Sequence, residues 1–310
     1  MKILGRVLVG LGAFLVVAAV VALTWAPGAV KRTPIDVDSV TVLSGEAARL
    51  DTATNELGAA EPIYALSITK SDSEASSDDT AVFFNRSCAV YGTEATEECP
   101  AFDDESVLSG ADDFFATDRT TAESVESDEL PAQAAAHEGV VNKWPFDAEK
   151  TTYTYFDSVT GEGVDAVYDR TEDVMGLETY VYRVEIQDAP IVVSALLELN
   201  GTYDDVKEIY VDPRTGAIIH QTDDQQRYLD DGTQALDLQL AFTEDQQATN
   251  VADAEDNIAS LDLITRTVPI VGFVGGGLLL VAGAVLLLRA RPRTAGTAST
   301  THRDRTPAGR

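Results

Sequence analysis

Two long uncharged apolar runs lie near the ends of the 310-residue chain, and they constrain it more than any other feature. The first, Val7–Ala26, has twenty residues, and the second, Val268–Leu288, has twenty-one. At about 1.5 Å per residue, a helix of either length spans a hydrocarbon core of about 30 Å. Because Lys2 and Arg6 precede the first run, a cleaved signal peptide is its alternative reading. Its length favours an uncleaved signal anchor.

The charges beside the second run set the predicted orientation. Residues 289–310 carry six arginines and one aspartate, so the positive-inside rule places this tail in the cytoplasm. Two spans then place the N-terminus on the same side. The predicted order is a cytoplasmic N-terminus (1–6), a first span (7–26), an extracytoplasmic domain (27–267), a second span (268–288) and a disordered basic cytoplasmic tail (289–310). The expected location is the plasma membrane.

The predicted outer domain is strongly acidic. It holds 51 acidic and 14 basic side chains, a formal charge of about −37. Such a surface stays hydrated and argues against nucleic acid as a partner, since phosphate contacts need clustered Lys and Arg. Cys88 and Cys99 both lie in this domain, and an even cysteine count outside the cytoplasm predicts one structural disulfide.

Strand signals dominate the domain, so we expect a mainly β, antiparallel, β-rich α+β fold flanked by the two transmembrane helices. Residues 27–142 are less regular, with a short helix expected at Thr117–Ser127. Asn200-Gly201 is read as a two-residue hairpin turn. A capping sequence at Thr243 predicts a helix at about 244–262. The predicted strands cover residues 35–42, 63–69, 82–85, 151–157, 164–168, 178–187, 191–199, 204–211 and 217–222.

Catalytic and metal-binding motifs are not found. His302 lies in the predicted cytoplasmic tail, and His137 and His220 have no carboxylate or cysteine at metal-ligand spacing. No metal, cofactor or catalytic residue is therefore predicted. The most distinctive local cluster is aromatic, and it predicts either a groove for a lipid or glycolipid, or simply the inner face of a sheet. Its members are Trp144, Phe146, Tyr153, Tyr155, Tyr180 and Tyr182.

Glycines mark one face of the second span. Gly272 and Gly276 form a GxxxG pattern, which allows close helix packing. The partner is expected to be either the first span or the same helix in another copy of the chain.

Five segments stand out along the chain: VTVLSG after the first span, then NKWPF, EKTTYTYFD, GLETYVYRVEI and YVDPRTGAII. With these segments between two apolar spans, the chain resembles the actinobacterial porin-PorA-like family, a domain of unknown function with two flanking transmembrane helices. The resemblance implies a cell-envelope protein of high-GC Gram-positive bacteria, in a family linked to envelope lipid and lipoglycan biogenesis. It carries over no catalytic residues.

The function expected from these observations is non-enzymatic. The outer domain would bind an envelope lipid, a glycolipid or a partner protein, in envelope biogenesis or maintenance. Self-association through the transmembrane helices is a further expected contact, besides the bilayer itself. One alternative is a hydrolase or transferase acting on envelope glycolipids, which a cleft with two converging carboxylates of raised pKa would support. The other is an oligomeric porin-like pore.

Overall fold

The computed structural model describes residues 2–194 and 199–289, which form two compact units. One is helical, with α1 (Lys2–Thr24), a π-helical turn (Leu263–Thr267) and α4 (Val268–Arg289). Both α1 and the helix that ends at Arg289 are long and apolar enough to cross a membrane. The other unit, residues 28–262, is the sheet domain; α2 (Ala26–Val30) joins it to the first unit.

The sheet domain is built on one antiparallel sheet and a helix, α3 (Glu244–Asp262). The order of its strands is β5-β4-β3-β1-β11-β10-β9-β8-β7-β6, with β2 beside β1. The strands are β1 (Asp38–Asp51), β2 (Glu56–Leu57), β3 (Glu61–Asp72), β4 (Thr80–Tyr91), β5 (Val107–Asp118), β6 (Tyr153–Asp157), β7 (Glu162–Val174), β8 (Leu177–Ser194), β9 (Leu199–Val211), β10 (Ile218–Leu229) and β11 (Gln234–Phe242).

The sheet is curled, so that it has an inner and an outer face. Three single-residue bridges lead from its last strand on one side, β5, to its last strand on the other, β6: Thr117 to Ser124, Glu123 to Val140, and Val140 to Tyr155. Since neighbouring side chains along a strand point to opposite faces, the register assigns alternate residues to the inside. Tyr182 and Ile209 face inward as a pair, and Val181 and Tyr210 face outward.

The outer face is covered at two places. Helix α3 packs Val251 and Ala254 against Val181 and Ile219. Its predicted cap is present, because Thr243 Oγ1 accepts a hydrogen bond from Gln246 N at 3.2 Å. Elsewhere the disulfide loop covers strands β3 and β4, in a cluster of Tyr64, Leu66, Cys88, Val90 and Cys99.

The mainly antiparallel fold is confirmed, but the helix predicted at Thr117–Ser127 is wrong. Thr117 lies in strand β5, which ends at Asp118. The Oδ1 atom of Asp118 then accepts hydrogen bonds from the backbone amides of Thr120 and Thr121. Ala122 follows with a φ of 60°, which breaks a right-handed helix. The acidic residues here belong to turns and a strand, not to an exposed helix.

Asn200 and Gly201 do not form the predicted turn. Both lie in β9, opposite Val192 and Ile191 of β8, and the connection between the two strands falls at 195–198, outside the described residues. A glycine is required at 201 for another reason, because a Cβ there would lie 1.8 Å from the carbonyl oxygen of Tyr228. The two strands predicted at 178–187 and 191–199 are largely one strand, β8, with an irregularity after Ile186.

Candidate functional site

An aromatic cluster fills the inner face at strands β6 to β8. Trp144 is fully buried, and its ring stacks on Tyr182 at 5.2 Å and on Tyr155 at 5.8 Å between centroids. Tyr153 meets Trp144 and Tyr182 edge-on. Such pairs add about 0.5–1.5 kcal/mol each beyond their buried area. These contacts make the aromatic rings a packed part of the core.

A turn holds Trp144 in place. Trp144 N donates a hydrogen bond to the carbonyl oxygen of Gly216 at 2.8 Å. Gly216 ends the turn that begins at Asp212, with a φ of 75°, and a Cβ at this position would lie 2.0 Å from the Trp144 carbonyl oxygen. Only glycine allows this approach of the two backbones. The DPRTG and WPF segments therefore act together to place the tryptophan.

Part of the aromatic cluster reaches solvent beside a lysine. Tyr153, Tyr168 and Tyr180 are half-buried, and Lys150 Nζ lies 4.7 Å from the ring centroid of Tyr180 and 5.4 Å from that of Tyr168. Lys150 also donates a hydrogen bond to Thr171 Oγ1 at 3.0 Å. We name Lys150, Tyr153, Tyr168 and Tyr180 the tyrosine–lysine surface.

Phe146 lies apart from the other five predicted aromatic residues. Its partner is Lys143, whose Nζ is 3.9 Å from the ring centroid. Burial lowers the pKa of Lys143 to about 8, although the nearby Asp212 acts to raise it. The structure thus brings five of the six predicted aromatic residues together: Trp144, Tyr153, Tyr155, Tyr180 and Tyr182. Phe146 instead contacts Lys143.

Next to the aromatic cluster, the inner face carries a buried charged cluster that the sequence reading missed. Lys207 Nζ lies 3.2 Å from Asp223 Oδ2, 3.4 Å from Asp205 Oδ2 and 3.8 Å from Asp157 Oδ2. All four side chains are at least nine-tenths buried. The two clusters adjoin, because Lys207 Nζ is also 5.7 Å from the Tyr155 ring centroid.

Burial and charge shift the acidity of this cluster. Desolvation raises the pKa of Asp205 to about 7. The neighbouring Asp223 and Asp157 also raise this pKa, whereas the positive charge of Lys207 lowers it. The surrounding carboxylates and tyrosines outweigh desolvation at Lys207 and hold its pKa well above the ordinary value. Lys207 is therefore an ammonium ion, and Asp205 holds a proton more readily than an exposed aspartate does.

Six buried polar atoms in this region make no well-aligned hydrogen bond to a described residue, although two of them, Asp157 Oδ2 and Asp205 Oδ2, lie within 4 Å of the Lys207 ammonium. The six are Asp157 Oδ2, both carboxyl oxygens of Asp205, Asp223 Oδ1, Tyr203 Oη and Arg227 Nε. The Lys207 ammonium is the charge that compensates these buried carboxyl groups.

The helical unit places the predicted glycines against α1. A Cβ on Gly276 would lie 2.8 Å from the Gly12 carbonyl oxygen, and one on Gly272 would lie 2.7 Å from the Ala19 Cβ. The sequence left two partners open for this glycine face, the first span and another copy of the chain. In the structure the face packs against the first span, helix α1.

The remaining sequence candidates are the cysteines and histidines. Cys88 and Cys99 form the predicted disulfide. His137 Nε2 lies 2.9 Å from Asp113 Oδ2, and His220 is half-buried beside Tyr210 with a pKa lowered by burial. His302 lies outside the described residues. Within 2–194 and 199–289, no three His, Cys, Asp or Glu side chains are arranged to hold a metal ion.

Comparison with known families gives a match over nearly the whole chain. The family model described as Porin PorA matches residues 4–285. The chain belongs to the PorA porin family. No curated protein matches the sequence. Among solved structures, Aeromonas veronii immune modulator A aligns at 7% identity, over 70% of this chain and 99% of its own, with a TM-score of 0.14, too low to carry an argument.

PorA family membership and the two apolar helices together indicate a membrane protein of a porin-like or envelope type. The family assignment points away from an enzyme. It names no site residue, so the chemistry of the site depends on the geometry alone. Three features make up this geometry. The tyrosine–lysine surface reaches solvent, the rings of Trp144 and Tyr182 pack next to it in the core, and the charged cluster adjoins those rings at Tyr155.

The charged cluster did leave a signal in the sequence. Tyr203, Asp205 and Lys207 alternate in phase with Ile209 and Val211, which are fully buried apolar residues of the same strand. A strand whose inward positions change from apolar to charged partway along its length marks a buried polar site.

Proposed function

We propose that this PorA family protein is a two-pass membrane protein whose acidic domain lies outside the plasma membrane. There it binds an envelope lipid, a glycolipid or a partner protein without catalysing a reaction. The domain is connected at both ends to apolar helices, α1 and α4. Two such anchors keep it at the membrane surface, where envelope lipids are concentrated.

The tyrosine–lysine surface is the observation that carries the binding proposal. The domain is acidic by about 37 charges, yet here Lys150 lies against tyrosine rings, and among the described residues it makes no ion pair with a carboxylate within 4 Å. Tyr168 Oη and Thr171 Oγ1 are 2.7 Å apart, which adds hydroxyl groups to the same surface. An ammonium, phenol hydroxyls and apolar ring faces suit an amphiphile with an anionic or hydroxylated headgroup.

Of the three classes of partner, the lipid and glycolipid are favoured. The packed rings of Trp144 and Tyr182 give the surface a rigid support, and an aromatic surface with a polar rim is typical of sites near a membrane interface. Partner-protein binding through the same residues remains an outcome of the test.

The alternative function, a glycolipid hydrolase or transferase, has one observation in its favour. Asp205 and Asp223 converge, and one of them has a raised pKa. However, the Lys207 ammonium lies within 3.4 Å of both carboxyl groups, in the space that a scissile bond needs. We therefore favour binding over catalysis.

The test is native mass spectrometry of the full chain extracted in detergent, with identification of any lipid that stays bound. We expect an envelope lipid or glycolipid in a fixed ratio to the protein. A preparation free of lipid and carrying a stoichiometric protein instead would move the function to partner binding. A preparation with neither would contradict the proposal.

A further inference from the structure

Two turns of the sheet domain are joined to each other by backbone hydrogen bonds. They are residues 143–148 and residues 212–216, the latter between β9 and β10, and we name them the paired turns. Ala148 N donates to the Pro213 carbonyl oxygen at 2.8 Å, in addition to the bond that holds Trp144. The two turns are therefore held as one piece.

Both ends of the sheet domain are tied to the paired turns. Lys31 follows soon after Pro27, the last residue of the first helical segment, and it forms an ion pair with Asp147. Asp262 is the last residue of the sheet domain, and it forms an ion pair with Arg214 at 2.6 Å. The chain from Pro27 to Lys31 spans at most about 14 Å. In the proposed topology, the paired turns are therefore a part of the domain that the chain keeps close to the bilayer.

The paired turns differ in charge from the domain as a whole, which carries about −37. Together with the two side chains tied to them, they carry three cations and three carboxyl groups: Lys31, Lys143, Arg214, Asp147, Asp212 and Asp262. Anionic lipids repel acidic side chains near the membrane surface. A part of the domain with balanced charge approaches such a surface with less repulsion.

Lys143 is the cation of this group that lacks a carboxylate partner. Among the described residues its Nζ makes no ion pair within 4 Å, whereas Lys31 and Arg214 each have one. The residue is half-buried, but its Nζ is not enclosed, so solvent reaches the ammonium. Burial lowers its pKa to about 8, although Asp212 acts to raise it. An anion beside Nζ would stabilise the charged form.

Apolar side chains accompany this ammonium. Lys143 Nζ lies 3.9 Å from the ring centroid of Phe146, and Phe146 and Pro145 are both half-buried, so part of each reaches solvent. A cation beside partly exposed apolar groups matches the boundary of a bilayer, where headgroup phosphates adjoin hydrocarbon. A free phosphate ion gains nothing from the apolar groups, which favours the phosphate of a lipid.

We propose that Lys143 and Phe146 form a site for the phosphate-bearing lipid headgroups of the membrane to which the domain is attached. The Lys143 ammonium donates hydrogen bonds to the phosphate, while Phe146 and Pro145 contact the apolar part of the same lipid. The inference rests on the topology in the proposed function and goes beyond it, because these residues are not those of the tyrosine–lysine surface.

The experiment is isotope-edited NMR of the full chain after reductive methylation of its lysines with labelled formaldehyde, in dodecyl maltoside micelles, which contain no phosphate. The additives are phosphatidylglycerol, diacylglycerol as a lipid without phosphate, and inorganic phosphate as a source without lipid. Phe146→Ala removes the ring beside Lys143. Phe102→Ala is the matched control, because the Phe102 ring lies beside another cation, Arg86, at 5.2 Å.

We expect phosphatidylglycerol to shift the Lys143 resonance in a saturable way and to raise the pKa of Lys143 from about 8 towards that of an exposed lysine. The resonances of Lys31 and Lys70, which have carboxylate partners, should move much less. Diacylglycerol and inorganic phosphate should have little effect. Phe146→Ala should raise the phosphatidylglycerol concentration at the midpoint by about fivefold, and Phe102→Ala should leave it unchanged.

Several results would overturn the proposal. An equal response of Lys31, Lys70 and Lys143 would indicate only a general accumulation of negative charge on the micelle. A response of Lys143 to inorganic phosphate or to diacylglycerol as strong as that to phosphatidylglycerol, no response of Lys143 at all, or equal midpoints for the two phenylalanine variants would also contradict it.

The failure of this inference can be told from that of the proposed function. If Lys143 does not respond while a lipid is retained in a Lys150-dependent way, the proposed function stands and this site does not. If Lys143 responds as expected while native mass spectrometry finds no retained lipid or protein, the membrane contact stands and the binding function does not.

Discussion

Lys207 and Asp223 occupy opposing positions on strands β9 and β10, and their charged atoms are 3.2 Å apart on the buried inner face of the sheet. Lys207 is at the same time within 4 Å of Asp205 and Asp157. One ammonium therefore serves three buried carboxyl groups. Removing it leaves a buried charge without compensation, which is far costlier than losing a surface ion pair.

Lys207→Met tests this dependence, because methionine keeps the length of the side chain without its charge. We expect the free energy of unfolding to fall by roughly 3–5 kcal/mol. Lys70→Met is the control, since the pair of Lys70 with Asp38 is largely exposed, and it should cost no more than about 1 kcal/mol. Urea unfolding followed by the fluorescence of buried Trp144 measures both. Equal effects would show that the buried cluster does not depend on its lysine.

Asp205 predicts a pH dependence of stability with a definite sign. An unfolded aspartate has a pKa of about 3.9, whereas the pKa of Asp205 in the folded chain is about 7. The folded state then binds the proton more tightly, so this residue's contribution to stability is greatest below about pH 4 and is lost as the pH rises to about 7. Above that range the contribution is constant.

Asp205→Asn should abolish this contribution, because the amide cannot ionise. Relative to the wild type, the variant should gain stability as the pH is raised from 4 to 8, when both are unfolded in urea. Asp224→Asn, on the exposed side of the same sheet, should show no such trend. A constant difference between Asp205→Asn and the wild type across this range would contradict the assignment.

The fold was predictable where the pattern of apolar residues is strong. Both apolar helices, the helix from Glu244 and strands β6, β7 and β10 follow periodicity that local residues determine. Strand β11 was not predicted, and the boundary between β8 and β9 was misplaced. Residues 80–118 were harder, because strand β5 carries Asp112 and Asp113, and acidic residues are poor strand formers. Its pairing with β4 overrides that preference.

The candidate site was predictable in part. The alternation of Tyr153, Tyr155, Tyr180 and Tyr182 places these rings on one face from the sequence alone. The charged cluster was predictable only on strand β9, where Asp205 and Lys207 share the phase of the buried Ile209 and Val211. Asp157 and Asp223 come from two other strands whose order depends on long-range pairing, so in a chain with 52 acidic residues the sequence does not single them out.

The contact between α1 and α4 predicts a difference between two adjacent glycines. Gly276→Leu should disrupt the packing, because a side chain there meets Gly12 and Val16, and overpacking of this kind costs about 1–3 kcal/mol. Gly277→Leu should be tolerated, since nothing lies within 4 Å of its Cβ position. Thermal unfolding in detergent, followed by size-exclusion chromatography, compares the two. Equal melting midpoints would contradict the role of the glycine face.

The proposed topology predicts which introduced cysteines are reachable in intact cells. Because Cys88 and Cys99 are bonded to each other, a new cysteine is the only thiol that reacts. Ser73→Cys, at an exposed site in the sheet domain, should react with a membrane-impermeant maleimide before lysis. Ser299→Cys, in the basic tail, should react only after lysis. The reverse pattern would place the domain in the cytoplasm.

The central claim, that the tyrosine–lysine surface binds an envelope lipid or glycolipid, is tested most directly by comparing lipid occupancy among variants. Native mass spectrometry of the full chain would measure the lipid-bound fraction of the wild type, Lys150→Ala, Tyr180→Ala and the control Lys70→Ala. The account predicts a bound lipid in the wild type and in Lys70→Ala, and a fraction lowered by about tenfold or more in the other two, the equivalent of about 1.4 kcal/mol. A lipid-free wild type, or equal occupancy in all four proteins, would contradict it.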